Sequence, residues 1–136
     1  MLASAVREAI ISALKALTVA GRAGPGDRLT VLRVATEPDS VTERCAMVRL
    51  LGCGRDEATT CARFVAYQVV IFYPPSPDVD NRIADDSLVV DDAMWGLQQA
   101  EPDISSVEVT DTAVSEDAGR IATRRDLRVI YLHDEG

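Results

Sequence analysis

The chain has 136 residues, of which 47% are hydrophobic, and its formal net charge is -8. This length fits one domain over residues 1–136, and the hydrophobic content excludes a disordered chain. The acidity argues against binding to nucleic acid or to an anionic membrane surface. No apolar run approaches the roughly 20 residues needed to span a bilayer. The N-terminal pattern lacks the charged-then-apolar order of a signal peptide, so we expect a protein made and kept in a cytoplasm.

The first predicted element is an amphipathic helix over residues 2–17. Its apolar residues recur at helical spacing, namely Leu2, Val6, Ile10, Leu14 and Leu17. Charged residues lie off that line, and the glycines and proline of residues 21–26 end the pattern. We therefore expect this helix to cover a core. A short strand, LTVLRV, is predicted over residues 29–34, and a turn over residues 37–40.

Residues 62–73, ARFVAYQVVIFY, form the predicted central strand. Nearly every position is apolar, β-branched or aromatic, and Pro74 and Pro75 close the run. A strand of this composition is typically covered on both faces. Residues 45–51, CAMVRLL, are predicted as the strand before it. The polar segment of residues 53–61 between the two strands predicts an antiparallel hairpin with a protruding loop.

A second helix is predicted over residues 82–100, with Asn81 as its cap and Pro102 as its stop. Apolar residues share one face of this helix, namely Ile83, Val90, Met94 and Leu97. Trp95 lies at the edge of that face, where a tryptophan is more often a core residue. The alternative is that Trp95 anchors a protein interface.

The C-terminal part of the chain predicts two more strands. The first begins at residues 107–109, a polar loop covers residues 111–119, and a long strand covers residues 120–132. One face of the long strand is apolar except for Arg125. The predicted order is α-β-β-β-α-β-β. It indicates an α+β domain with a mostly antiparallel sheet of about five strands and two packed helices.

The chemically active residue types form no recognisable catalytic or metal-binding pattern. Cys45, Cys53 and Cys61 lack the short spacing of a zinc site, and His133, the sole histidine, is distant from them. We expect reduced thiols, with a disulfide only if Cys53 and Cys61 meet across the hairpin. The aspartates of residues 78–92 lack the glycine and the glutamate of a calcium loop. No nucleophile or phosphate-loop motif occurs, so we expect no enzymatic activity, cofactor or metal.

The most suggestive polar feature is a row of arginines, Arg120, Arg124 and Arg128, on the second face of the final strand. One interpretation is a solvated sheet face, or pairing within the chain to the acidic second helix. The other is a charged contact with a neighbouring chain, since an arginine row suits acidic residues of another copy. Nucleic-acid readout is less favoured, because no stacking aromatic residues are interleaved with the row.

The order of elements resembles that of the tail terminator, or tail completion, proteins of long-tailed bacteriophages. The likeness is carried by the first helix, AVREAIISALKAL, the strand YQVVIFYP, the helix LVVDDAMWGLQQA with its DD-x-x-W pattern, and the closing strand IATRRDLRVIYL. These segments cover most of the chain in the family's order. The cysteine-bearing loop and the acidic segment before the second helix have no counterpart in that likeness.

The resemblance implies a structural virion protein that assembles as a six-fold ring, caps the tail tube and joins it to the neck. Its implied partners are further copies of itself, the tail tube protein and neck or connector proteins, and DNA passes through the ring without specific binding. It implies no catalysis and no cofactor. The implied location is the virion, with assembly in the host cytoplasm.

From the residues themselves we predict that the hairpin tip of residues 52–62 and the arginine row take part in contacts between proteins. The candidate interface residues are Arg55, Asp56, Glu57, Arg120, Arg124 and Arg128. Two alternatives stay open. One is another neck or head-completion protein, such as a stopper. The other is a small cytoplasmic α+β ligand-binding domain, which requires a pocket with converging polar groups.

Overall fold

The computed structural model describes residues 1–16, 29–33, 36–55, 61–117 and 120–133. These residues fold as an α+β domain, in agreement with the predicted class. The helices are α1 (Ala3–Lys15) and α2 (Val79–Ala100). The strands are β1 (Thr30–Val31), β2 (Cys45–Arg55), β3 (Ala62–Tyr73), β4 (Ile104–Val109), β5 (Ala113–Asp117) and β6 (Arg120–Leu132).

The strands form one mixed sheet in the order β1-β2-β3-β6-β4, and β5 also pairs with β6. β3 lies at the centre and pairs along its whole length with β6, from Ala62 opposite Leu132 to Tyr73 opposite Ile121. β2 and β3 form the predicted antiparallel hairpin. The pairings of β4 and β5 with β6 are antiparallel, whereas β1 pairs with β2 in parallel.

Several predicted strand boundaries were wrong. The first strand is only two residues long, and β2 continues to Arg55 instead of ending at residue 51. The predicted loop of residues 111–119 contains β5, whose sequence, AVSED, lacks an apolar alternation. β5 forms because the N-terminal part of β6 offers it a pairing partner, with Ala113 opposite Arg124. Pairing of this kind is not visible in local composition.

The helices also differ in detail from their predictions. α1 begins at Ala3, and Leu2 is an exposed cap residue instead of a member of the apolar stripe. α2 begins at Val79, three residues before its predicted start, so Asn81 lies inside it. Trp95 is 52% exposed, so its predicted place in the core was wrong. Neither helix in the described part of the chain is both long and apolar enough to cross a membrane.

Both helices cover the same face of the sheet and enclose the main core. α1 contributes one stripe of buried residues, Val6, Ile10, Ile11 and Leu14. The sheet side of this core is formed by the odd-numbered residues of β3 and by their neighbours, namely Ala46, Val48, Val65, Val69, Ile71, Leu127 and Val129. The helical period of α1 and the two-residue period of β3 therefore present their apolar faces to each other.

A second, smaller core lies on the other face of the sheet, at one end only. Its buried members are Cys45, Met47, Val70, Phe72 and Ala122. Leu32 and Val41, from the segments that flank the turn before β2, pack against them. The prediction that the central strand is covered on both faces is therefore correct for its C-terminal end. Towards its N-terminal end, Phe64, Ala66 and Gln68 are only partly buried.

The three cysteines lie in different environments. Cys45 is buried, and its burial raises the pKa of its thiol, whereas Cys53 and Cys61 are exposed. Val65 is the residue opposite Cys53 in the hairpin, so Cys61 lies four residues from that position. This offset corresponds to about 13 Å along a strand. Cys53 and Cys61 therefore do not meet across the hairpin, so the condition for a disulfide between them is not fulfilled.

Candidate protein interface on the uncovered face of the sheet

Both helices lie on one face of the sheet, and the small second core covers one end of the other face. We call the uncovered remainder of that other face the open face. It comprises side-chain positions from three adjacent strands, namely Arg49, Gly52 and Gly54 of β2, Phe64, Ala66 and Gln68 of β3, and Arg124, Asp126, Arg128 and Ile130 of β6. Alternation along each strand places these residues together on the side opposite α1 and α2. The predicted arginine row belongs to this surface.

A row of hydrogen bonds crosses the middle of the open face. The Arg49 guanidinium donates to the side-chain oxygen of Gln68, and the Gln68 amide nitrogen donates to Asp126 Oδ1 at 3.1 Å. The three residues lie opposite one another on β2, β3 and β6. Each side chain therefore holds its neighbour in one orientation, which reduces the entropy lost when another molecule binds.

Two arginines of the predicted row pair within the chain. Arg124 Nη2 lies 2.9 Å from Glu37 Oε1, and Arg120 Nη2 lies 3.7 Å from Glu37 Oε2. Arg120 also donates to the carbonyl oxygen of Pro38 at 2.8 Å. The hydrogen bond from Arg124 lowers the pKa of the Glu37 carboxyl. One of the interpretations left open was pairing within the chain to α2, but Arg120 and Arg124 pair with the turn before β2 instead.

Arg128 is exposed and lies on an aromatic ring. Its guanidinium carbon is 4.1 Å from the centroid of Phe64, a distance typical of a cation–π contact. The same ring covers Gly54 on β2, where an added Cβ would lie 2.9 Å from Phe64 Cε1. The glycine thus admits the ring, and the ring positions the arginine. This contact holds a cation at the surface of the open face.

The remaining candidate residues do not join this surface. Arg55 lies opposite Arg63 in the hairpin, and the alternation of β3 places this pair on the helix-facing side of the sheet. Asp56 and Glu57 lie outside the described residues. The structure therefore brings Arg120, Arg124 and Arg128 together on one face and separates Arg55 from them.

The helix-facing side contains a buried charged cluster that sequence reasoning missed. Arg125 is 2% exposed, donates to the Asp91 carboxylate and to Ser87 of α2, and reaches Thr112 Oγ1 at 2.6 Å. Burial lowers the pKa of the Arg125 guanidinium, and Asp91 opposes that effect. Arg125 was recognised as an exception on an apolar face. Its acidic partner, Asp91, follows Val90 of the predicted apolar face of α2, but the pairing with β6 is a tertiary contact that the sequence did not specify.

A buried carboxylate of α2 also faces the sheet. Asp86 is 4% exposed and accepts hydrogen bonds from the Tyr73 hydroxyl at 2.8 Å and from Arg44 Nη1 at 2.6 Å. Burial and the neighbouring Asp86 raise the pKa of Tyr73. Arg82 Nε lies 3.9 Å from the same carboxylate. These contacts connect α2 to β3 and to the segment before β2.

A cleft of about 410 Å³ lies beside this cluster. Its lining is Glu43, Arg44, Tyr73, Pro74, Ser76, Asp78, Val79 and Arg82. The volume falls within the usual range of small-molecule pockets, about 300–1,000 Å³. The guanidinium groups of Arg44 and Arg82 both approach Asp86, and Glu43 and Asp78 supply two further carboxylates in the lining. The charge of the two guanidinium groups is therefore largely balanced within the protein.

Large apolar side chains are exposed at two places, one on β2 and one on the outer side of α2. Leu50 and Leu51 are 54% and 47% exposed and lie at an irregularity of β2, where the register shifts between Leu50 and Gly52. On the outer side of α2, Leu88 is 70% exposed, and Trp95 lies two turns further along. Exposed aromatic and aliphatic residues are common anchors of protein interfaces.

No group of three or more histidine, cysteine, aspartate or glutamate side chains within the described ranges could hold a metal ion. No family model matches the sequence, and no curated protein matches it either. The resemblance to tail terminator proteins therefore stays a prediction.

Proposed function

We propose that this protein is a structural assembly protein of a bacteriophage virion that forms a ring, caps the tail tube and joins it to the neck. The observation that carries the proposal is the open face, where side chains from three adjacent strands are held in fixed orientations. A preorganised polar surface flanked by exposed apolar residues suits binding to another protein. The α+β class with two helices is also the class that the resemblance implies.

The mechanism is surface complementarity without chemical catalysis. Copies of the protein associate side by side through the open face, and the closed ring binds the end of the tube. Partners of the ring are the tail tube protein and neck or connector proteins, and the ring resides in the virion after assembly in the host cytoplasm. The net charge of -8 supports passage of DNA through the ring, because an acidic protein does not hold the phosphate backbone.

The mass of the particle in solution tests this function. We expect native mass spectrometry of the purified protein, or of the protein mixed with tail tubes, to show a closed oligomer of six copies. Electron microscopy of capped tubes should place that ring at one end. A protein that stays monomeric both alone and with tubes contradicts the proposal.

Two alternatives predict different outcomes of the same measurement. A stopper or other neck protein would form a ring that binds head or neck assemblies but leaves tube ends uncapped. A small ligand-binding domain is favoured by one observation, the cleft of about 410 Å³ with converging polar groups. That alternative predicts a monomer whose thermal stability rises with a small ligand.

A further inference from the structure

The outer side of α2 carries one continuous exposed stripe. Its members are Asp85, Leu88, Asp92, Trp95 and Gln99, all exposed and separated by alternating steps of three and four residues. This spacing keeps side chains on one line along a helix. The stripe therefore contains two large apolar side chains and two carboxylates. It lies on the side of the molecule opposite the open face.

The open face has the complementary features. Arg128 is an exposed cation beside exposed Glu108, its cross-strand neighbour on β4, and Arg49 is a second cation on the same surface. Between the two arginines, Gly52 lies opposite Ala66, and an added Cβ at Gly52 would meet nothing within 4 Å. Two adjacent positions with little or no side chain leave a shallow depression, flanked by arginines and by the ring of Phe64. Such a depression suits a large flat side chain.

The dimensions of the two surfaces agree. Leu88 and Trp95 are seven residues apart, which is about 10.5 Å along a helix. β2 and β6 are two strands apart, which is about 10 Å across a sheet. A helix lying across the strands with Trp95 above Gly52 and Ala66 therefore brings Leu88 close to half-buried Ile130 on β6. Asp92, between the two apolar side chains, then lies within reach of Arg128.

We propose that the stripe on α2 of one copy binds the open face of the next copy, with Trp95 in the depression over Gly52 and Ala66 and Asp92 paired with Arg128. This inference rests on the proposed ring and names the contact that closes it. The two surfaces lie on opposite layers of one molecule. The contact is therefore head-to-tail, the type that generates rings when the rotation closes.

Cross-linking between copies tests the contact directly. Exposed Cys53 and Cys61 are first replaced by serine, and Leu88→Cys is combined with Ile130→Cys, which leaves Trp95, its depression and the Asp92–Arg128 pair intact. Oxidised glutathione should then link the full-length protein into a ladder of covalent multimers, which denaturing electrophoresis resolves. Each cysteine substitution alone should give monomers. Absence of the ladder, or dimers from Leu88→Cys alone, overturns the head-to-tail contact.

Charge exchange provides an independent readout. Asp92→Arg and Arg128→Asp are each expected to weaken association by about tenfold or more, because like charges then face each other. The double exchange should restore most of the lost affinity. Asp111→Arg, at an exposed aspartate outside both surfaces, is the matched control and should leave association unchanged.

The outcomes separate this inference from the proposed function. Rings that persist in Asp92→Arg and Arg128→Asp overturn the contact and leave the ring function standing. Loss of association without rescue by the double exchange also overturns the pairing of Asp92 with Arg128. A protein that is monomeric alone and with tubes, and that gives no ladder, overturns both proposals.

Discussion

Arg124 and Arg125 are neighbours in β6, but alternation places them on opposite faces of the sheet. Arg125 is buried beneath α2 and bonds to Asp91, Ser87 and Thr112. The Arg124 side chain is 30% exposed and pairs with Glu37, itself 36% exposed. The two arginines have the same chemistry and different surroundings. On the face that the helices cover, which we call the covered face, the ion pair of Arg125 attaches α2 to the sheet. On the open face, the charge of Arg124 lies at the surface of the molecule.

Truncating each arginine separately tests whether the two faces of the sheet differ in this way. Arg125→Ala should lower the free energy of unfolding by about 3 kcal/mol, the lower end of the cost of breaking a buried ion pair, because Asp91 still reaches water. Arg124→Ala should cost less than about 1 kcal/mol, as for exposed ion pairs. Urea unfolding followed by circular dichroism measures both values.

Similar losses in the two variants would contradict the difference between the faces. A loss above about 2 kcal/mol for Arg124→Ala would mean that the Glu37 contact contributes to the core of the domain. A loss below about 1 kcal/mol for Arg125→Ala would mean that the Arg125 contacts contribute little to the attachment of α2.

Much of the covered face could be predicted from the sequence. The helical spacing of Val6, Ile10 and Leu14 specifies a buried side, and this prediction was confirmed. The apolar composition of β3 predicted cover on both faces, which is correct only for its C-terminal end. Asp86 was not recognised as buried, and Asp91 was not recognised as a partner of the sheet, because carboxylates in a helical pattern are usually assigned to solvent. Their contacts depend on Tyr73, Arg44 and Arg125, which approach α2 only after the chain has folded.

The open face was only partly predictable. Alternation along β6 placed Arg120, Arg124 and Arg128 on one side, but it did not identify Glu37 as their partner. That contact depends on how the turn before β2 returns over the sheet, which is a long-range feature. The stacking of Arg128 on Phe64 similarly depends on the register between β3 and β6.

A second substitution tests the buried hydrogen bond between β3 and α2. Tyr73→Phe removes the hydroxyl that donates to Asp86 and should cost about 1–2 kcal/mol, because the carboxylate keeps Arg44 but loses one buried donor. Tyr67→Phe is the matched control, since its hydroxyl makes a longer bond of 3.3 Å to the Ala3 carbonyl. The control should cost less than about 1 kcal/mol in the same urea assay.

The smallest expected effect is a pH dependence of the stability, caused by Glu37 and its arginine partners. The pKa of Glu37 is lowered in the folded protein, so its contribution to stability is present above its unfolded pKa and is lost as pH falls through the folded value. Because Glu37 and its partners are partly exposed, the contribution should be less than about 1 kcal/mol. The free energy of unfolding of the wild type and of Glu37→Gln should be measured from pH 6 to pH 3. The difference between the two proteins should shrink as pH falls, and a difference that stays constant contradicts the prediction.

Trp95 is the only tryptophan in the chain, and it is half exposed on the outer side of α2. Its intrinsic fluorescence therefore reports on that surface and only weakly on the interior. An emission maximum that moves to shorter wavelength as protein concentration rises would signal removal of the indole from water. The protein thus contains its own optical probe of association, and no added dye is needed to follow it.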